Sequence, residues 1–383
     1  MKTAINYWFT IEPYVFIGLT NKCVLLYNTL DGVTLESDQE EVIELLRKML
    51  QDGNSGVILL TNDRYKQKVV NDFISELRKK YMGDIIDVAL SNAKPVQLLP
   101  YFNFPDKNEI YKKHNFSSLK NVLENLSEIS IHVDAKTNLT KLIPFLQSIP
   151  GNPTFNIIGN IKEVTMYNEF LFYFDQHPSP KNILCHYNNA IELQPTFGNN
   201  FSYRVSVRFP IDMKQWNDSR QMLINQNLPV EYIFEVLSDE DCLHAEQIID
   251  QFMIEKYRLT PVYNGDNIDF FEKNVFLTKE EILSTSMSIK DIFIRQSMNL
   301  YDFGKINIES NGDVYANLNH PALGNISTDN IYEIVHKEVD EGKSWFFIRN
   351  QAPCNDCVYQ WLCPPPSNYE IAIGRSNLCH VKQ

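Results

Sequence analysis

The sequence predicts an α/β protein built on a largely parallel sheet, with a small strand-and-helix unit before it and a cysteine-rich unit after it. Three observations predict this. Between residues 93 and 300, apolar strand-like runs alternate with runs of helical period, the pattern of successive right-handed βαβ units. The first 92 residues read as short strands broken by turn signals, followed by two amphipathic helices. Four of the seven cysteines crowd into the last 30 residues. The length of 383 residues, at about 150 per domain, suits two or three domains. We place them at 1–92, 93–300 and 301–383.

In the first unit, Tyr14–Ile17, Cys23–Tyr27 and Val33–Leu35 are the expected strands, with turns at Asn21-Lys22 and Asp31-Gly32. Ser37-x-x-Glu40 has the form of a capping box, and Val42, Leu45, Leu46 and Met49 follow at helical spacing. A second helix carries Val69, Phe73, Leu77 and Tyr81 on one face, with Arg64, Lys66, Lys68, Arg78, Lys79 and Lys80 on it and its approach. Residues 1–95 hold 11 basic and 13 acidic residues, against 24 and 35 in the remainder, so the N-terminal unit is the least acidic part.

In the middle unit the expected strands are Val96–Leu99, Ile129–Val133, Phe155–Ile158, Ile183–Cys185, Tyr203–Phe209, Tyr232–Val236 and Arg258–Val262, with helices between them. Six or seven such units suit an open or partial α/β barrel. No phosphate-binding glycine loop, zinc-protease helix or nucleophile elbow occurs in it. His132 and Asp134 stand at a strand end, where neighbouring backbone satisfies them. His177, His186 and His244 have no spacing partner and read as structural.

The net charge of −13 argues against a generic nucleic-acid binder, because phosphate binding needs a basic surface. No apolar run approaches membrane-spanning length, and the N-terminus lacks an apolar signal core, so a cytoplasmic chain is expected. In a reduced chain, clustered cysteines point to a metal rather than to disulfides. Cys354, Cys357, Cys363 and Cys379 have the spacing C-x2-C-x5-C-x15-C, and four thiolates so placed can close a tetrahedral shell. Spacing alone leaves zinc and iron–sulfur both open. Cys23, Cys185 and Cys242 are solitary and read as small buried apolar residues.

The cysteine run, followed by Pro364, Pro365, Pro366, Ser367, Asn368 and Tyr369, resembles the SPASM domain of radical-SAM peptide-modifying enzymes. In that family such a set holds the second of two auxiliary [4Fe–4S] clusters. The family's fourth cysteine of the run corresponds to Ser367 here. The upstream segment Asp313–Asn317 with Gly324, Asn325 and Ile326 resembles the family's hairpin, and Asn317 stands where a cysteine would hold the first cluster. The resemblance therefore implies one [4Fe–4S] cluster, with zinc as the second choice.

The middle unit resembles the partial barrel of the same enzymes, with one departure. The run from Val96 to Lys107, where their CxxxCxxC triad would stand, has no cysteine. The resemblance thus implies a pseudo-radical-SAM protein that does not cleave S-adenosylmethionine, of the kind found in Bacteroidales-type peptide-maturation systems. Residues 1–92 resemble the winged-helix peptide-recognition element of such systems, which binds a leader peptide as an added strand. The implied groove combines Val33, Thr34 and Leu35 at the strand edge with Arg64, Lys66, Lys68, Val69, Val70 and Phe73 from the helical side. The implied role is non-catalytic: binding a precursor peptide and presenting it to a true radical-SAM/SPASM maturase. The alternative is an electron-transfer protein or an enzyme using the one remaining cluster.

Overall fold

The computed structural model describes residues 5–51, 53–54, 56–91, 93–95, 119–190 and 201–381. The expected strand Val96–Leu99 and the run to Lys107 lie outside them.

The N-terminal unit contains two three-stranded antiparallel sheets. β1 (Tyr7–Ile11) lies between β5 (Val57–Leu60) and β6 (Gly83–Asp87), while β2 (Val15–Leu19), β3 (Val24–Asn28) and β4 (Thr34–Ser37) form the second sheet in that order. The helices Glu40–Met49 and Lys68–Lys79 supply one apolar face each. Val42, Leu45, Leu46 and Met49 from the first, and Val70, Phe73, Ile74 and Leu77 from the second, pack on Phe9, Ile11, Val15, Ile17, Val24 and Leu26. The capping expectation is corrected: the first helix begins at Glu40 behind Gln39, because Ser37 is the last residue of β4, paired with Val24. Tyr81, expected on the buried face, is 76% exposed and sits just past the second helix at φ 55°.

Strands expose alternate residues on opposite faces. Val15, Ile17, Val24 and Leu26 face the helices. Phe16, Leu25 and Tyr27 face the other way and meet Ile282, Met287, Ile292, Val358, Tyr359 and Leu362. The Met287 N–H donates to the Tyr27 hydroxyl at 2.7 Å. β2 and β3 are therefore buried on both faces, and their second face rests on the loop that carries the C-terminal cysteines.

The main sheet has nine strands. β7 (Glu128–Val133), β8 (Thr154–Gly159), β9 (Lys181–His186), β10 (Phe201–Arg208), β11 (Val230–Val236) and β12 (Tyr257–Pro261) pair in sequence order, all parallel. Six expected strands thus appear within a residue or two of their expected bounds. β13 (Lys305–Ile308) runs parallel to β7 on its free side, and β14 (Asp313–Tyr315) and β15 (Gly324–Asn325) continue the sheet antiparallel. The flank of β7 that a preceding strand would take is thus held by β13. Among the described residues the sheet is open, with β12 and β15 at its edges.

Helices start where side-chain caps allow. Asp212, Ser238 and Asn138 each accept a backbone N–H at the first turn of the helices Met213–Asn225, Asp239–Phe252 and Leu139–Gln147. One sheet face, including Ile129, Ile131, Phe155, Ile157, Val205 and Phe234, is buried in the large core. The other face is polar, unlike a parallel sheet covered on both sides. There Asn182 donates to Asn156 at 2.7 Å, Asn156 to Glu128 at 2.7 Å, and Arg204 and Arg258 converge on Glu231 at 3.0 and 3.3 Å. Among the described residues no helix is long and apolar enough to cross a membrane.

Candidate metal centre and strand edge

The four C-terminal cysteines come from two separate pieces of chain. Cys354 opens a short 3-10 turn, Cys354–Asp356, and Cys357 follows it. Successive tight turns, with Gln360 N–H donating to Cys357 O and Cys363 N–H to Tyr359 O, fold the chain back so that Cys363 returns toward Cys357. Cys379 arrives from residues 376–381, which are clamped on Leu277. Leu277 N–H donates to Leu378 O, and His380 N–H donates to Leu277 O, both at 3.0 Å. All four cysteines line one pocket, walled by Leu277, Ile282, Leu378 and Val381.

The electrostatics of the pocket are those of buried thiols beside the Arg349 guanidinium, with Arg295 near Cys363. Burial pushes the Cys363 thiol up to about 12, against the opposing pull of Arg349. Burial also raises Cys354, again opposed by Arg349. Arg349 Nη1 lies 3.8 Å from Cys354 Sγ, and Asn377 Nδ2 donates to Cys379 Sγ at 3.3 Å. A metal would draw the protons off, and Arg349 would then face thiolates.

Among the described residues no group of three or more His, Cys, Asp and Glu side chains is assembled as an ion site. The four sulfurs surround one pocket without being drawn into the shell of a single ion, in which each would stand about 2.3 Å from the metal. A cluster holds its thiolates farther apart, because iron and sulfide lie between them. A donor set of four cysteines around one pocket with a partly apolar wall fits such a group.

The second position implied by the resemblance is filled differently. Asn317 is buried and donates Nδ2 to Asp302 at 2.9 Å and to Asn368 Oδ1 at 2.5 Å, while its Oδ1 accepts the Asn319 N–H at 2.9 Å. Burial lifts Asp302 to about 6, with the Asn317 bond opposing. Ser367, next to Asn368, gives its N–H to the Glu370 carboxylate at the start of the helix Asn368–Ile373. Asn317 and Ser367 therefore stand near each other, as positions serving one site would, and a carboxamide–carboxylate network occupies the place.

At the N-terminal edge, Val33 lies just outside β4, while Thr34 and Leu35 lie within it. Asn28 N–H donates to Val33 O, so Val33, Leu35 and Ser37 turn their backbone groups toward β3, and Thr34 and Glu36 turn theirs outward. Among the described residues no strand pairs with that outer edge. Lys80 Nζ reaches Thr34 O at 3.0 Å, and Lys279 pairs with Glu36 at 2.8 Å.

The helix Lys68–Lys79 packs beside β4, but its contribution differs from expectation. Val70 and Phe73 are buried in the unit's own core and do not reach the edge, because the helix turns Val70, Phe73, Ile74 and Leu77 inward together. Val69 is half-buried, and Lys66 and Lys68 are exposed. Arg64 pairs with Glu44 at 3.8 Å. The cations that touch β4 are Lys80, on the Thr34 carbonyl, and Lys279, on the Glu36 carboxylate, and the sequence does not reveal the part of either at this edge.

His132 Nδ1 lies 3.8 Å from Glu309, and Asp134 accepts from Ser310 Oγ at 2.8 Å and from the Lys136 N–H at 2.6 Å. These strand-end groups satisfy one another.

No protein-family profile and no curated protein matches the chain. Among solved structures, native anSMEcpe with bound AdoMet and Cp18Cys peptide is similar over 62% of this chain and 88% of its own, at 11% identity and a TM-score of 0.42. The same protein with Kp18Cys peptide gives the same values. E. coli MccB with ATP covers 69% of this chain and 85% of its own, at 11% identity and a TM-score of 0.18. These are partial likenesses at low identity.

Proposed function

We propose that this chain is a non-catalytic partner in ribosomal peptide maturation, which binds a precursor peptide at the outer edge of β4 and presents it to a radical-SAM/SPASM maturase. The observation that carries the reading is the pocket lined by Cys354, Cys357, Cys363 and Cys379, with the β2–β4 sheet packed against the same loop. In this reading residues 1–92 recognise peptide, 93–300 form a degenerate barrel, and 301–383 hold one [4Fe–4S] cluster, zinc being the second choice. The cluster, when bound, supplies a rigid anionic staple and a one-electron centre. The chain's own residues do the rest. Thr34 offers its outward N–H and Glu36 its outward N–H and C=O, Val69 offers partial apolar contact, and Lys80, which binds the Thr34 carbonyl, brings positive charge to the edge for acidic leader residues. A micromolar complex needs about −8 kcal/mol, within reach of one added strand with a few anchors.

The test is titration of the full chain with the short peptide encoded beside its gene. Proline at Glu36 removes an outward N–H and leaves the β3 ladder intact, so Glu36→Pro is expected to weaken binding at least tenfold. Lys279→Met, which removes the Glu36 ion pair and the contact with Tyr359 but no backbone group of β4, is expected to leave binding unchanged. Equal binding by wild type and Glu36→Pro would mean that the peptide sits elsewhere.

The absent cysteine triad gives a second expectation. Reduced, iron-reconstituted protein should form no 5′-deoxyadenosine from S-adenosylmethionine beyond a cluster-free control. Multiple turnovers would contradict the non-catalytic role.

A further inference from the structure

We propose that Arg349 and Glu370 form a buried charge pair that sets the reduction potential of the centre held by the four cysteines, each pulling it in the opposite direction. This rests on reading those cysteines as cluster ligands. The two side chains are 7% and 4% exposed, and Arg349 Nη1 lies 2.7 Å from Glu370 Oε1. The same Nη1 lies 3.8 Å from Cys354 Sγ. Arg349 lines the cysteine pocket, whereas Glu370 does not. Both line a second pocket that also borders Cys354, with His320, Gln351 and Arg375. The guanidinium therefore touches the Cys354 sulfur and lines the cysteine pocket, while the carboxylate binds the guanidinium from outside that lining. The pair is a buried dipole whose positive end is the part that borders the cysteine pocket, in a setting where screening is weak.

Reduction of a four-thiolate centre adds one electron and no compensating cation. A cation on its rim favours the reduced form, and the carboxylate behind it partly cancels that effect. Removing the Arg349 charge should lower the potential. Removing the Glu370 charge leaves the guanidinium uncompensated and should raise it. Arg349 also has a positioning role, because Nε donates to Pro364 O and Nη2 to Pro365 O at 3.4 Å, bracing the run that follows Cys363. A purely structural role would not give two shifts of opposite sign.

The test uses full-length protein purified without oxygen, with iron and sulfide assayed and the potential followed by EPR-monitored titration. Arg349→Gln is expected to lower the reduced-to-oxidised ratio at a fixed potential about tenfold, a shift of about 59 mV for one electron. Glu370→Gln is expected to shift it a similar amount the other way, and Arg349→Lys to stay nearer wild type. Unchanged potentials, or two shifts of the same sign, with cluster content intact would overturn the proposal. Should Arg349→Gln fail to hold iron, Glu370→Gln and Arg349→Lys decide. Loss of iron from all three would make the pair a structural brace and overturn the tuning role. A wild type without redox-active iron would overturn the cluster reading itself, a failure visible before any variant is made.

Discussion

Serine in place of Cys363 is expected to release the metal and loosen the whole segment from Arg349 to Val381. Metal binding at a site the unfolded chain does not form is folding free energy, about 10 kcal/mol or more for a structural four-ligand centre, and losing one thiolate forfeits much of it. The loosening should spread. Cys357 and Cys363 pack against the cluster that holds Phe16, Leu25 and Tyr27, so the β2–β4 sheet loses part of its floor. Metal analysis and limited proteolysis of the full chain check this. Cys242→Ser, on the helix Asp239–Phe252 and away from the pocket, should retain wild-type metal content and cleavage pattern.

Gly18→Val is expected to undock the N-terminal unit from the cysteine loop. A Cβ at position 18 would lie 2.3 Å from the carbonyl oxygen of Val358, a backbone atom with no rotamer to escape into. The glycine is required for this close approach and not for an unusual backbone angle. Overpacking against side chains costs about 1–3 kcal/mol, and a rigid carbonyl places this case at or above the upper end. Because Val358 lies between Cys357 and Cys363, the substitution should also lower metal retention. Thermal unfolding and iron content of the variant measure both effects.

The central strands β7 to β12 are legible because each carries a short apolar run between helical segments, three of which start at visible caps, Asn138, Asp212 and Ser238. β1 and β6 were not. Tyr7 pairs with Leu60 and with Asp87, partners far away in sequence, and neither strand is closed by a local turn signal. Ser37 misled because its capping pattern competes with its place opposite Val24 in the sheet. The resemblance implies Val70 and Phe73 for the groove, but the helix Lys68–Lys79 turns them inward with Ile74 and Leu77, so they belong to the core. The cysteine set announces itself by spacing. Arg349 and Glu370 do not, since nothing in a sequence marks two charges 21 positions apart as a pair until the fold brings them within 2.7 Å. The contact of Asn317 with Asp302 and Asn368 is likewise tertiary, although the resemblance had singled out Asn317 and Ser367.

The central claim is that Cys354, Cys357, Cys363 and Cys379 hold one metal centre, and metal analysis of the chain purified without oxygen tests it most directly. The account predicts about four iron and four sulfide per chain, with all of it lost on serine substitution of any one of the four cysteines. Iron and zinc both far below one equivalent in the wild-type protein would contradict it.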